Sequence, residues 1–280
     1  MLDVAIIGAG ELGGAAAHVL ARRNLARAIR LIDERGNVAA GKALDIAQAA
    51  PIEGFATQLS GSTDYSTAAG ASVVILADRA GGAEWQGDEG WLLLKQLSQI
   101  TAGSVIVCAG AAQRDLIERG VRELSYSRER LFGSAPEALA GGARALVALA
   151  VNGSPRDVAL SVLGVPPSQI VIPWQDATWA GTPLTRVLDE PAQRRLQARI
   201  AALWSPGPHA LATAATLVVE AIAGRTRRIP SCFVAPDSSA GTRTRTAALP
   251  VRLGSSGIVE VMQPALSVVE RIALDNAVLL

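Results

Sequence analysis

Apolar and polar residues alternate along the first half of the chain in blocks of two kinds. Short unbroken apolar runs fall at Val4–Ile7, Ile29–Ile32, Ser72–Ala77 and Ser104–Cys108. Such runs suit strands covered on both faces of a parallel sheet. Longer stretches with helical periodicity lie between them: an alanine-rich helix after Gly13, Gly41–Ala50 stopped by Pro51, Asp88–Ile100, and Ala111–Leu124. Ala56–Ser60 is a further short strand, and Arg130–Gly133 reads as the last strand of the sheet. The alternation predicts the α/β class with a doubly wound parallel sheet, whose ligands lie outside the carboxyl ends of the strands.

After residue 134 the pattern changes to α+β, which sets expected domains of 1–134 and 135–280. Helices are predicted at Glu137–Ala150, Pro191–Leu203 and His209–Ala223. Val158–Gly164 and Gln169–Pro173 read as antiparallel strands joined by the turn at Pro166-Pro167. Ile229–Val234, Thr246–Leu253 and Ile258–Val261 form an expected meander with a polar, mobile tip at 237–245. Pro264 is expected to start a closing helix.

The chemistry concentrates at the start. Gly8, Gly10 and Gly13 follow the first strand in G-x-G-x-x-G spacing and open a helix, and Asp33 ends the second strand twenty residues after Gly13. Strand, glycines, helix and acid in that order form the dinucleotide fingerprint. Gly8 allows the tight turn, Gly10 lets a pyrophosphate approach the backbone, and Gly13 lets the helix lie close on the sheet. The helix N-terminus, with Glu11 and Leu12, offers N–H groups and partial positive charge to the pyrophosphate. Asp33 is expected to accept hydrogen bonds from the ribose hydroxyls and to repel a 2′-phosphate, which favours NAD; nearby Arg35 weakens that preference slightly. The segment Gly36–Ala43 nearly matches a nucleoside-triphosphate loop. However, Ala43 stands where a hydroxyl should hold magnesium and no strand feeds into it, so that reading is rejected.

Composition narrows the class. The 280 residues are 50% hydrophobic and 18% charged, with a formal net charge of +1. This argues against disorder, a general nucleic-acid binder or a membrane-surface protein. The two cysteines, Cys108 and Cys232, form no metal or redox spacing, which suits a reducing cytoplasm. With a strand entered by residue 4, no signal peptide is expected, and no apolar run reaches the roughly 18 residues of a membrane span.

The stretches GAGELGG, LIDERGNVAAGKALDIAQAAPIEG and TDYSTAAGASVVI, then WAGTPL at 179–184, ALATAATLVVEAIAG at 210–224 and the C-terminal LPVRLGSSGIVEVMQPALSVVERIALDNAV resemble the lactate/malate dehydrogenase family, especially its bacterial malate branch. The resemblance spans essentially the whole chain. It implies NAD as cofactor, subunit pairing into a homodimer or homotetramer through the 41–54 helix, and hydride transfer between nicotinamide and C2 of a 2-hydroxy acid. In that family a histidine moves the hydroxyl proton, an aspartate orients it, and arginines clamp the substrate carboxylate.

Against the family's pattern this chain is depleted. The Gly-x-His-Gly-Asp segment expected before WAGTPL is deleted in Ile170–Leu184. After Phe132-Gly133-Ser134, Ala140 takes the aspartate's place and Gly142 or Ala143 the arginine's, with Arg144 close by. The loop after the fourth strand keeps one arginine, Arg79, among the acids Asp78, Glu84, Asp88 and Glu89; Asp78 replaces a glycine beside the cofactor, and Ala109-Gly110 replaces Asn-Pro. His209 and Arg79 are the remaining candidates for catalysis. His18 lies too far along its helix, Asp176 reads as a turn residue, and Trp85, Trp91, Trp174 and Trp179 read as packing residues. The first expectation is an NAD-binding relative whose ancestral reaction is lost or very weak. The alternatives are a dehydrogenase of altered substrate using His209, and a structural homo-oligomer without cofactor.

Overall fold

The computed structural model describes residues 1–237 and 244–279. Its first half is built from β1 (Leu2–Ile7), α1 (Glu11–Arg22), β2 (Ala26–Ile32), α2 (Gly36–Glu53), β3 (Gln58–Ser62), β4 (Val73–Leu76), α3 (Gly87–Ile100), β5 (Val105–Cys108), α4 (Arg114–Leu124) and β6 (Leu131–Gly133). The second half runs α5 (Ala135–Ala150), β7 (Val158–Ala159), β8 (Leu163–Val165), β9 (Gln169–Val171), β10 (Thr178–Trp179), β11 (Thr182–Pro183), α6 (Glu190–Ala201), α7 (Pro208–Ile222), β12 (Ser231–Val234), β13 (Ala247–Gly254), β14 (Gly257–Val261) and α8 (Val268–Val278).

Six parallel strands in the order β3-β2-β1-β4-β5-β6 form the doubly wound sheet. Every residue of β4 and β5 is buried, because helices cover both faces of a parallel sheet. The strand order reverses between β1 and β4, which opens a crevice at their carboxyl ends. The alanines of α1 have a packing role. Ala16, Ala17 and Ala21 are fully buried, and α1 packs against the equally alanine-rich α7, where small side chains let two helices approach closely.

Several expected boundaries move. Gly133 does not close the sheet, because β12 pairs antiparallel with β6 and the sheet continues through β13 to β8 and β9, with β14 on β13. One sheet and one hydrophobic core therefore cross residue 134, and a second core lies between α5, β9 and α6. The stretch 158–164 splits, with β7 joining β10 and β11 in a small sheet while β8 pairs β9 across the Pro166-Pro167 turn. Helix α2 begins at Gly36, not Gly41, because Gly61 leaves room for the backbone at Ala39–Ala40 to rest on β3. It also passes through Pro51 and ends at Gly54, whose φ of 76° is left-handed and whose N–H reaches the Ala50 carbonyl at 2.9 Å. A proline in the last turn removes only one ladder bond, so the glycine sets the end. Helix α8 starts after Ser267, which forms a capping box with Glu270; Pro264 lies in the extended lead-in. Residues 238–243 of the expected mobile tip lie outside the described residues, while at its far end Arg245 is fastened to the carbonyls of Val278 and Ala277.

Candidate functional site

The crevice between β1 and β4 is where the sequence motif comes together. Gly8 adopts a φ of 110°, and its N–H donates to the Ile32 carbonyl at 2.7 Å. A methyl on Gly13 would collide with the Gly8 carbonyl, so this glycine is what lets α1 sit on the turn. The backbone of Gly8, Gly10, Glu11, Leu12 and Gly13 thus has the shape that a pyrophosphate cradle requires.

The side chains around that cradle change what it offers. The Leu12 and Gly13 N–H groups donate to the Asp78 carboxylate at 3.2 and 3.0 Å. The space beside Gly10 that its missing Cβ leaves open is filled by the same carboxylate. Lys42 of α2 donates its ammonium to the Gly10 carbonyl at 2.5 Å. Asp33 is only 2% exposed. Its carboxylate accepts from the N–H groups of Ala9, Arg35 and Ala80 at 2.8, 2.9 and 2.9 Å. The expected ribose acceptor is therefore bonded to the protein's own backbone, and the Arg35 guanidinium lies against Gly81 beside it. The backbone half of the site fits a dinucleotide, but the carboxylates as arranged do not.

The loop after β4 is responsible. Asp78 and Glu84 pair as an antiparallel bridge, and the Arg79 N–H donates to the Ala83 carbonyl at 3.1 Å, so residues 78–84 form a small hairpin folded into the crevice. Glu84 holds its far side by accepting from the N–H groups of Ala111 and Ala112 at 3.0 and 2.7 Å, just before α4. Arg79, kept from the sequence as a candidate for catalysis, pairs with Glu89 at 2.7 Å and stacks 4.9 Å over the buried Trp85 ring.

Beyond the hairpin, toward α7, a cavity of about 350 Å³ is lined by Glu11, Asp78, Glu84 and Gln86 with Leu12, Pro206, Pro208 and Leu211 among its apolar walls. Among the described residues no lysine, arginine or histidine lines it. His209 faces a different cavity, of about 560 Å³ between α1 and α2, together with His18, Lys42 and Glu53. His18 itself lies 3.2 Å from Glu53. Ala140 and Ala143 are fully buried in apolar surroundings. Arg144 is paired with Glu137 at 2.5 Å, and both line a third cavity, of about 520 Å³, along with Asp176. The imidazoles, Arg79 and Arg144 therefore point to separate places.

The remaining expectations concern packing. Trp85 and Trp174 are buried, and Trp91 lies beneath Lys95 and Arg119. Burial pushes the thiols of Cys108 and Cys232 well up from their ordinary range. Sequence reasoning missed the capping roles of Asp78 and Glu84, although both acids were conspicuous in an otherwise small-residue loop. It also missed Glu137, a 4%-exposed acid that accepts from the Ser231 N–H at 2.9 Å; an acid inside an alanine-rich helix was the available signal.

Residues 2–117 match the family model of the lactate/malate dehydrogenase NAD-binding domain. The malate dehydrogenase of Thermomicrobium roseum is 27% identical over 291 positions, covering 98% of this chain and 94% of that protein. That of Thioalkalivibrio sulfidiphilus is 29% identical, covering 99% and 96%. Among solved structures, malate dehydrogenase from Salinibacter ruber superposes with a TM-score of 0.86 at 24% identity, covering 99% of this chain and 94% of that one. A Cryptosporidium parvum lactate dehydrogenase complexed with lactic acid and NAD gives 0.87 at 19% identity, again covering 99% and 94%.

Proposed function

We propose that the chain, whose residues 2–117 match the lactate/malate dehydrogenase NAD-binding domain and which is 27% identical to a malate dehydrogenase over nearly its whole length, is a relative of that family that no longer performs its 2-hydroxy-acid hydride transfer and acts as a binding, sensing or partner subunit. One observation carries this proposal: among the described residues, the cavity at the mouth of the crevice is lined by three carboxylates and by no cation or imidazole. A carboxylate substrate there meets like charge instead of a guanidinium clamp, forgoing about 1.5–3 kcal/mol for each charged hydrogen bond. A missing general acid removes a further factor of about 10²–10⁴. The span aligned with the Thermomicrobium relative, 291 positions, is longer than the 280-residue chain. This agrees with a net deletion such as the missing histidine segment between β9 and β10.

A division of the chain after residue 134, between β6 and α5, is part of this proposal, although the sheet and one hydrophobic core continue across it. Pairing of two copies is assigned to α2, where Leu44 and Ile52 are 61% and 87% exposed. Two free, buried thiols fit a reducing compartment, the cytoplasm, and among the described residues no helix is long and apolar enough to cross a membrane. The test is NADH oxidation with oxaloacetate and with pyruvate. No turnover is expected; a kcat above about 0.1 s⁻¹, within roughly 10²-fold of a typical enzyme, would overturn the proposal.

A further inference from the structure

We propose that Asp78 is an internal occupant of the phosphate site, so that this chain binds the pyrophosphate of a dinucleotide only in competition with its own carboxylate. The inference rests on the NAD-binding assignment of the domain and is independent of whether turnover is lost.

Three observations meet at this residue. First, both carboxylate oxygens are engaged, Oδ2 by the Leu12 N–H and Oδ1 by the Gly13 N–H. A helix N-terminus presents these donors to an anion, and here the anion is covalently part of the protein. Second, the glycine at position 10 leaves a space, and the atoms within it are the carboxylate of Asp78. Third, the carboxylate is held in place through its backbone. The Asp78 carbonyl accepts from the Gly10 N–H at 2.9 Å, and the preceding Ala77 N–H donates to the Ile7 carbonyl at 2.9 Å, continuing the β1–β4 ladder. The hairpin beyond it is fastened at the Asp33 carboxylate through Ala80 and at the start of α4 through Glu84.

Charge acts in the same direction. Glu11 and Glu84 border the same cavity as Asp78, with no basic side chain lining it among the described residues, and the Lys42 ammonium is bonded to the Gly10 carbonyl. A pyrophosphate entering the cradle must displace Asp78 from two N–H groups and then remain near three carboxylates. A ligand without phosphates meets neither obstacle at this point.

The experiment is titration calorimetry of the full chain with ADP-ribose, which carries the pyrophosphate without the nicotinamide, and with NADH. Wild type is compared with Asp78→Gly, which empties the space, and Asp78→Asn, which keeps the size but removes the charge. Wild type is expected to bind ADP-ribose no tighter than millimolar. Asp78→Gly should bind about 100-fold tighter, the equivalent of one to two charge-assisted hydrogen bonds, and Asp78→Asn about 10-fold tighter. Should the glycine variant fail to fold, the asparagine variant alone decides. Micromolar binding by wild type, or variants within 3-fold of it, would overturn the proposal. NADH oxidation by Asp78→Gly separates this idea from the lost-turnover reading. Tight binding by Asp78→Gly with turnover upholds the role of Asp78 and sinks the idea that proton-transfer and anion-clamping groups are missing, whereas tight wild-type binding without turnover sinks the role of Asp78 and leaves the lost-turnover reading standing.

Discussion

Asp33 provides the sharpest test of how the crevice is held together. If its carboxylate served only a ribose, replacing it would leave the ligand-free protein as stable as before. The structure instead gives it three backbone donors, at Ala9, Arg35 and Ala80. The bonds to Ala9 and Ala80 are buried, so Asp33→Ala strands two N–H groups out of reach of water; the partly exposed Arg35 N–H can rehydrate. At about 1–3 kcal/mol for each stranded group, with some relaxation of the 78–84 hairpin, the loss is about 3 kcal/mol. For a chain of this size that lowers Tm by roughly 6 °C or more. Asp33→Asn retains one acceptor oxygen and should lose less, about 1 kcal/mol. The assay is urea and thermal unfolding of ligand-free protein followed by circular dichroism. A Tm for Asp33→Ala within about 2 °C of wild type would refute the idea that this acid is bonded to the backbone.

Glu137→Ala leaves the Ser231 N–H and the Arg144 guanidinium without their buried partner and should destabilise by about 3 kcal/mol, with Glu137→Gln costing less, as read by urea midpoints. The thiols of Cys108 and Cys232, fully buried and raised by desolvation, should react with a disulfide reagent at pH 8 only as fast as the protein unfolds; immediate labelling of the native state would contradict their burial. The Arg27 guanidinium, bonded to both oxygens of Asp3 at 3.0 and 2.6 Å, holds that carboxyl below its ordinary 3.8. A carboxyl lowered on folding stabilises at pH above its unfolded value, and that contribution disappears as pH falls through the folded value. Asp3→Asn should therefore be less stable than wild type at pH 7, with the gap closing below pH 3.8 in unfolding curves.

The parallel half of the fold was legible because its signals are local. Val73–Leu76 and Val105–Cys108 are apolar at every position, and the Gly8–Gly13 spacing dictates one turn geometry. Boundaries were misread where a local rule met a tertiary one. Pro51 suggested a stop, yet Gly54 supplied the better terminus. Pro264 suggested a start, yet the Ser267–Glu270 pair satisfied more backbone N–H groups. The expectation of a depleted catalytic set also came from the sequence, since it needs only the absence of a histidine segment and of two residues on α5. What occupies the cradle was not visible. Whether the side chain of residue 78 turns toward α1 depends on the β1–β4 register, the shape of the hairpin and the room at Gly10, none of which is written within a few residues of Asp78.

A glycine fingerprint records the shape of a backbone, and two of its glycines have work here that needs no ligand. Gly8 makes the turn and Gly13 admits the helix to it, while Gly10 is required only by whatever anion lies beside it. If that anion is the Asp78 carboxylate, the two positions are energetically coupled. Gly10 has a φ of −73° and a ψ of −159°, which alanine adopts without strain. Gly10→Ala alone should push the carboxylate off the Leu12 and Gly13 N–H groups and destabilise by about 1–2 kcal/mol, the value of a helix N-terminal cap. In an Asp78→Gly background the three atoms nearest that methyl are gone, and the same change should alter stability by less than about 0.5 kcal/mol, so the double-mutant cycle should close with a coupling of about 1 kcal/mol. Measured by urea unfolding of the ligand-free chain, additive effects would mean that the carboxylate does not lie beside Gly10 in solution, and the phosphate site would then be free to take a dinucleotide.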